Sequence, residues 1–239
     1  MIYATSDIHG YPLDAFRQLL DSAGFSDSDT LYVLGDVIDR NGDGGINMLL
    51  WMMNQPNIEM ILGNHEAMLL SCTFLFEEIT DRNIDCLNTQ RIQLLNQWMI
   101  NGAQPTLSAL RTLKNREPSA LNDLLDYLRD VPLYAAVSAG DNGFLLVHSG
   151  FGNYSPDKKL SQYTPDELLW YRPTEQDFFY PEFITILGHT PTGNRFGEKG
   201  KMFRTQTWID IDTGAARGGS PMLLRLDDLK AFYVDGNIS

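Results

Sequence analysis

Short apolar runs of strand length recur along the chain, and each run stops at a polar or glycine-containing cluster. The runs are Ile2–Ser6, Leu31–Leu34, Ile58–Leu62, Phe144–Val147 and Phe183–Leu187. Because they are continuous rather than alternating, they predict strands that are buried on both faces of a sheet. Apolar residues at i, i+3, i+4 spacing predict helices at Leu13–Ala23 and Ile46–Met53. This alternation indicates βαβ units and therefore a sheet covered by helices.

Helical patterns fill the middle of the chain, and short strands fill its end. The expected helices are Ala67–Phe76, Arg91–Ile100, Thr106–Leu113 and Ala120–Leu128. The segment Gln206–Val234 predicts short strands. Turns are expected at Gly214, Gly218-Gly219 and Asp235-Gly236. We therefore expect one α/β domain over residues 1–239, with a helical insertion at about residues 67–130.

The charge balance narrows the possible partners. The 239 residues include 18 Lys and Arg against 31 Asp and Glu, a net charge of −13. This balance disfavours non-specific nucleic-acid binding and attachment to an anionic membrane, since both depend on a basic surface. No apolar run is long enough to cross a bilayer, and no signal peptide is visible. Cys72 and Cys86 match no zinc pattern, so we expect free thiols and a cytoplasmic location.

Residues that can bind a metal follow five of the predicted strands. They are Asp7, Asp36, Asn64, His148 and His189, and the loop residues His9 and His65 lie beside them. All 4 histidines of the chain are therefore at strand ends. Ligands of α/β proteins bind at the carboxyl ends of the strands. We infer that these side chains belong to one site.

The first two clusters offer metal ligands and an arginine, although Asp7 could instead cap the helix that follows and the second cluster could be an Asp–Arg ion pair at the surface. In an extended segment, Asp7 and His9 would point the same way and face one ion. In the loop after the second strand, Asp36 could bridge two ions and Asp39 could orient a histidine. Arg40 presents a planar fork that fits phosphate oxygens.

The later clusters add ligands and a proton donor. Asn64 offers a neutral oxygen ligand or a helix cap, and His65 could donate a proton because imidazole titrates near neutral pH. Glu66 is expected to cap the helix or support the loop. Ser149 beside His148 could suggest a serine nucleophile, but the chain lacks the G-x-S-x-G elbow.

Two metal sites of mixed nitrogen and oxygen ligands follow from these clusters. One ion would take Asp7, His9 and Asp36. The other would take Asp36, Asn64, His148 and His189. Such donors suit Mn, Fe, Zn or Ni better than Ca or Mg, and a shared carboxylate fits ions about 3.5–4 Å apart. Because no thiolate takes part, a finger-type structural zinc is disfavoured.

The motifs DIHG, GDVIDR, GNHE, HSG and GHT, in this order, resemble the metallophosphoesterase signature. GDVIDR and GNHE are similar to the PPP family of serine/threonine protein phosphatases, in particular to its compact bacterial and phage-lambda types. The match extends to Ile211–Ala215 and so covers most of the chain. The resemblance implies an α/β fold, the calcineurin-like β-sandwich. It has two mixed sheets flanked by helices, with a dimetal centre at the strand ends.

The resemblance also implies roles for single residues. By motif position, the metal ligands are Asp7, His9, Asp36, Asn64, His148 and His189. His65 would be the general acid, and Asp39 would orient it. Arg40 and Arg172 would bind the substrate phosphate together with Asn64. Arg172 is assigned because it follows a tryptophan by two positions, as a phosphate-binding arginine of the family does.

The implied activity is hydrolysis of phosphoserine or phosphothreonine in proteins, or of a small phosphoester. Two divalent ions would be needed, with Mn²⁺ the first choice and Fe, Zn or Ni as alternatives. The chain departs from the family at Asn41-Gly42, where glycine, often followed by proline, is usual. We expect substrate choice to lie in the helical insertion and in Asn194–Gln206. The sequence assigns no oligomeric state.

Three other functions fit parts of the pattern. A diadenosine tetraphosphate hydrolase of the same superfamily would share the metal site but cleave a phosphoanhydride. That group tends to have GNHD and another residue in place of Asp39, so Asp39 and Glu66 favour phosphomonoesters. A non-catalytic scaffold would have lost the acid histidine or metal ligands, which this chain keeps. A structural metal domain fits the open, thiolate-free clusters poorly.

Overall fold

The structure, a computed structural model, describes residues 1–77 and 88–234. Its strands are β1 Ile2–Thr5, β2 Thr30–Val33, β3 Ile58–Met60, β4 Tyr134–Ala139, β5 Asn142–Val147, β6 Ile184–Leu187, β7 Phe203–Arg204, β8 Trp208–Asp210, β9 Met222–Arg225 and β10 Lys230–Tyr233. Its α-helices are α1 Leu13–Ala23, α2 Ile46–Met52, α3 Asn64–Ser71, α4 Thr89–Ile100, α5 Gln104–Arg116, α6 Pro118–Asp130, α7 Pro165–Leu169 and α8 Thr192–Arg195. Within the two described ranges, no helix has the length and apolar character that a membrane span requires.

The strands form two five-stranded sheets. The first has the order β10-β9-β1-β2-β3, and the second has the order β4-β5-β6-β8-β7. The strands β1, β2 and β3 are parallel to one another, as are β5, β6 and β8. The remaining pairs are antiparallel. Two mixed sheets with flanking helices confirm the expected calcineurin-like architecture.

Each sheet has apolar side chains on both faces, as the continuous runs predict. Between the sheets, Leu34 from the first packs in one cluster with Ile209 from the second. On the outer face of the first sheet, Leu31 packs against Phe16 of α1 and other helical residues. An aromatic cluster that includes Trp208 covers the second sheet. Burial on both faces leaves the strand ends as the place where polar side chains can gather.

The five predicted strands are present, with ends shifted by one or two residues. The helix predicted from Ala67 begins earlier, at Asn64, because the Gly63 N–H donates to the Glu66 carboxylate (3.2 Å) and starts the first turn. It ends at Ser71, and a 3-10 turn follows. The pattern misses β7, α7 and α8, which are short, and it also misses β4, although Tyr134–Val137 is a continuous apolar run.

The two cysteines have different outcomes. Cys72 is buried and free, as expected. Cys86 and the turn expected at Asp235-Gly236 lie outside the described residues. The turns at Gly214 and Gly218 are present, each with the left-handed φ that glycine adopts without strain.

Gly35 and Gly24 provide a matched test of crowding at the end of β2. Both have left-handed φ, 83° and 72°. A Cβ at Gly35 would collide with the backbone of Gly63, whereas a Cβ at Gly24 would meet nothing within 4 Å. We predict that Gly24→Ala lowers the free energy of unfolding by about 1–2 kcal/mol. Gly35→Ala should cost about 1–3 kcal/mol more, because overpacking adds to the same backbone strain. Urea unfolding measures the free energy of unfolding of both variants. Equal decreases in the two variants would show that Gly35 is not crowded.

Candidate metal centre

The structure brings every predicted site residue to the edge where the parallel strands of both sheets end. The buried ones are Asp7, His9, Asp36, Asp39, Asn64, His65, His148 and His189. Arg40 is half-buried beside them, and Arg172 is exposed at the rim of the site. Six of these residues have left-handed φ, namely Asp7, His9, Asp36, Asp39, Arg40 and His189. Strained backbone of this kind concentrates at functional sites, where the surrounding structure enforces it.

Asp7 and His9 converge through a tight turn, and the expected extended segment is wrong. Their φ values are 52° and 46°. The His9 N–H donates to the carbonyl of Asp36 (2.9 Å), which ties the two motifs together. The His9 ring donates from Nδ1 to the Ile38 carbonyl (2.9 Å). Its Nε2 is therefore free for an ion, 3.5 Å from Asp36 Oδ2 and 3.8 Å from Asp7 Oδ1.

Glu66 holds the second motif in place. Its carboxylate accepts the N–H groups of Asp36 (2.9 Å), Val37 (2.8 Å) and Ile38 (3.1 Å). It also accepts the Gly63 N–H at the start of α3. One fully buried side chain thus fixes both the GDVIDR loop and the GNHE turn, which confirms the expected supporting role.

A second set of donors lies on the other side of Asp36. The His148 ring donates from Nδ1 to the Leu34 carbonyl (2.7 Å), which leaves the Nε2 lone pair free. That nitrogen is 2.9 Å from Asn64 Oδ1, 3.2 Å from His189 Nδ1 and 3.5 Å from Asp36 Oδ1. Asn64 is the first residue of α3 rather than its cap, so the expectation of a capping role is wrong. Lone pairs that converge in this way fit a cation between them.

Two groups of donors therefore share Asp36. His9, Asp36 and His65 form one, and Asp36, His148 and His189 form the other, with the donor atoms of each within 4.8 Å of one another. His65 enters the first group through its Nε2, 3.8 Å from Asp36 Oδ2. Asp7 is linked to the second group by a hydrogen bond, in which its Oδ2 accepts the backbone N–H of His189 (2.8 Å). Histidines anchored at the other ring nitrogen are typical of metal sites.

The electrostatics of the site also suit cations. Burial, followed by the nearby His65, lowers the pKa of His9 to about 3. Burial and then His148 and Arg172 lower the pKa of His189. The imidazoles are thus neutral, which is the form that binds a metal. Burial and then Asp7 raise the pKa of Asp36, because two carboxylates repel each other here. Divalent ions would relieve that repulsion.

His65 and Asp39 form a close pair. His65 Nδ1 lies 2.6 Å from Asp39 Oδ2, and both residues are buried. Burial raises the pKa of Asp39 to about 7, while hydrogen bonds from Thr106 and Trp98 lower it. The pair leaves His65 Nε2 directed at the metal groups, where it accepts a hydrogen bond from Arg40 Nη2 (3.1 Å). Burial, followed by the nearby Arg40, lowers the pKa of this imidazole.

Two arginines beside the metal groups can receive an anion. Arg40 Nη2 lies 3.1 Å from His65 Nε2, and its buried Nε has no partner. Arg172 Nη1 donates to the His189 carbonyl (3.2 Å). Across residues 1–77 and 88–234, no ion pair includes either guanidinium. Cations without carboxylate partners next to neutral imidazoles form a suitable phosphate site.

Asn41 accounts for the departure from the family in the second motif. Its side-chain amide donates to the carbonyls of His9 (3.0 Å) and Ala215 (3.1 Å). It therefore joins the first motif to the Ile211–Ala215 segment. Ser149, in contrast, donates to the Leu168 carbonyl and accepts the Tyr171 N–H, which leaves it no nucleophilic role.

Sequence reasoning missed two buried carboxyl groups behind Asp7. The Asp212 N–H donates to Asp210 Oδ1 (2.9 Å), and Asp212 Oδ1 accepts the Gly214 N–H. Asp210 Oδ2 is buried without a partner. The match over Ile211–Ala215 was the available signal for Asp212. Burial and then Asp212 raise the pKa of Asp210, so this carboxyl keeps its proton to higher pH than usual.

We predict that Glu66→Gln weakens metal binding about 10–100-fold, the usual loss when a residue that positions ligands is changed. The amide can accept fewer of the four N–H groups, so Asp36 loses its fixed position. Isothermal titration with Mn²⁺ measures the affinity. Glu59→Gln, at an exposed position on β3, is the matched control. Unchanged affinity in folded Glu66→Gln protein would show that the loop holds itself.

We predict that Asp210→Asn stabilises the metal-free protein near neutral pH, because the amide keeps an oxygen for the Asp212 N–H and cannot acquire a buried charge. The folded carboxyl has a raised pKa, so its contribution to stability is present below the ordinary pKa of 3.8 and is lost as the pH rises above it. Urea unfolding between about pH 4 and 7 should show a smaller decline in the variant than in the wild type. Parallel curves would contradict this.

The chain was compared with known proteins. The sequence profile of calcineurin-like phosphoesterases matches residues 1–215. A symmetrical bis(5'-nucleosyl)-tetraphosphatase of Acidovorax sp. (strain JS42) is 29% identical over 71% of this chain and 48% of its own length. The chain thus spans about half the length of that relative. The protein of that name from Nitrosospira multiformis is 27% identical over 98% of this chain and 95% of its own length.

Relatives with another name also match. Serine/threonine-protein phosphatase 2 of Salmonella typhimurium is 31% identical over 72% of this chain and 67% of its own length. Among solved structures, a putative diadenosine tetraphosphatase aligns with a TM-score of 0.59 at 16% identity, over 100% of this chain and 91% of that one. This similarity supports the fold alone. The profile match over most of the chain shows that the protein belongs to the calcineurin-like phosphoesterase family.

Proposed function

We propose that the protein is a dimetal phosphohydrolase whose preferred substrates are bis(5'-nucleosyl) tetraphosphates. The single observation that carries a phosphate-directed role is the placement of two guanidiniums, without an ion pair among the described residues, beside two donor groups that share Asp36. The choice of a phosphoanhydride rests on the relatives. One that aligns over 95% of its length is named a symmetrical bis(5'-nucleosyl)-tetraphosphatase. Symmetrical cleavage would give two nucleoside diphosphates.

Hydrolysis of phosphoserine or phosphothreonine, the main expectation from the sequence, is the second candidate. The His65–Asp39 contact of 2.6 Å favours it, because an alkoxide leaving group needs a proton more than a phosphate leaving group does. The relative named serine/threonine-protein phosphatase 2 supports it as well. The two candidates share one site and differ in the group that leaves.

The residues that would hold the ions are those predicted. Asp7, His9 and Asp36 would hold one, and Asp36, Asn64, His148 and His189 the other, with Mn²⁺ as the first choice. When bound, the two ions supply positive charge to phosphate oxygens and lower the pKa of a water molecule. The chain itself contributes anion binding and proton transfer.

Arg40 and Arg172 would bind the equatorial phosphate oxygens, which carry the negative charge of the transition state. His65 Nε2 lies 3.1 Å from the Arg40 guanidinium, so a leaving oxygen held by Arg40 is within reach of that nitrogen. His65 would give its proton to this oxygen, and Asp39 would stabilise the imidazolium before the transfer. Because the His65–Asp39 pair is buried, protein groups rather than water set the orientation of the His65 ring.

We predict that Mn²⁺ restores hydrolysis in metal-free protein and that diadenosine tetraphosphate is cleaved with a higher kcat/KM than a phosphoserine peptide. Side-by-side assays of the two substrates, with nucleoside diphosphate and inorganic phosphate quantified separately, test the order. Release of phosphate from the peptide alone would establish the second candidate instead. If neither substrate is hydrolysed with any metal, the protein is a non-catalytic scaffold.

His65→Asn is the control that assigns the activity to this site. General acid catalysis contributes about 10²–10⁴-fold, so the variant should lose that factor with the phosphopeptide and less with the dinucleotide. Both ions should stay bound, because Asp7, His9 and Asp36 remain around the first position when the His65 nitrogen is lost. Near-normal turnover in the metal-loaded variant would exclude His65 as the acid.

A further inference from the structure

The helices between β3 and β4 reach into the proposed acid pair. Trp98 of α4 donates from its indole Nε1 to Asp39 Oδ2 (2.8 Å). Thr106 of α5 donates from its hydroxyl to Asp39 Oδ1 (2.5 Å). Both side chains are fully buried. Neither oxygen of the carboxylate is therefore free to rotate away from His65.

Thr106 also fixes the backbone of the same residue. Its hydroxyl oxygen accepts the Asp39 N–H (3.0 Å). That contact supports Asp39 in a left-handed conformation, with φ of 75°. The loop between α4 and α5 continues the arrangement, because the Gly102 carbonyl accepts the Arg40 N–H (3.0 Å). One helical pair thus holds both Asp39 and Arg40 at the edge of the sheets.

Hydrogen bonds to a carboxylate favour its ionised form. Burial raises the pKa of Asp39, the Thr106 and Trp98 hydrogen bonds oppose that rise, and the resulting pKa is about 7. A charged Asp39 holds an imidazolium in place, whereas a neutral one does so only weakly. The two donors therefore favour the state of Asp39 that proton delivery requires.

We propose that Trp98 and Thr106 are positioning residues that hold Asp39 in place and thereby fix the orientation of the His65 ring toward the leaving oxygen. The proposal rests on the proposed function, because it concerns the proton that the leaving group receives. It assigns a specific task to helices whose part in the chemistry no sequence motif indicated. Packing alone would need only an apolar residue at each position, whereas both residues present donate to one carboxylate.

The test compares two esters of similar shape, p-nitrophenyl phosphate and phenyl phosphate. Phenoxide is the poorer leaving group and depends more on the acid. In Trp98→Phe and Thr106→Val, we expect kcat with phenyl phosphate to fall about 10–100-fold, since small misplacement of a catalytic group has that effect. With p-nitrophenyl phosphate the fall should stay within about 3-fold. KM and bound Mn²⁺ should not change.

The chain offers two matched controls. Within residues 1–77 and 88–234, the buried indole Nε1 of Trp51 and the buried hydroxyl of Thr185 have no hydrogen-bond partner. Trp51→Phe and Thr185→Val make the same chemical changes away from Asp39, and both should leave the ratio of the two kcat values unchanged. Thr106→Ser keeps the hydroxyl and should recover most of the loss. Equal losses with both esters in the Asp39-contacting variants would overturn the proposal.

A double variant separates positioning from general weakening of the fold. In the His65→Asn background, Trp98→Phe should cause no further loss, because residues that act through one group are not additive. An undiminished loss there would refute the proposal. If the wild type hydrolyses neither ester, the protein has no monoesterase activity. The positioning of His65 by Asp39 is then tested in metal-free protein. There, an exchange-protected His65 Nδ1 proton should be visible by NMR and absent in Thr106→Val; its persistence would refute the proposal.

Discussion

Concentrated burial of ionisable groups is the constraint on which the structure depends. Asp36 stands between two groups of imidazoles, with Asp7 close by, and all of these side chains are nearly inaccessible to water. Such groups are costly to bury unless something offsets them. The pKa directions, lowered for His9 and raised for Asp36, express this cost in the metal-free chain. Two divalent ions would offset this cost, which is why these donor groups could hold them.

Backbone turns and hydrogen bonds hold these ionisable groups in place. Parallel strands of two sheets end side by side, and left-handed residues turn each chain segment sharply at that edge. Glu66 stabilises two of these turns, because its buried carboxylate accepts four backbone N–H groups from two motifs. Asn41 joins the remaining segments. Positions of the ligands are thereby set before any ion binds, which lowers the ordering cost of binding.

Much of this could be predicted from the sequence, because strand ends are local features. Continuous apolar runs located the strands, and polar residues directly after them located the site. The local conformation of Asp7 and His9 could not be predicted in this way, since their turn depends on hydrogen bonds to the second motif. Nor could the contacts of Asp39 with Trp98 and Thr106, which lie 59 and 67 positions away. Contacts between residues so far apart in the sequence produce no periodic pattern of apolar and polar residues.

Asp36 belongs to both donor groups and would therefore be shared by two ions in one site. Anomalous diffraction from crystals of the Mn²⁺-loaded protein tests it most directly. The account predicts two peaks about 3.5–4 Å apart, one next to each oxygen of Asp36, with His9 at one ion and His148 at the other. A single peak, or two peaks that do not share Asp36, would contradict it.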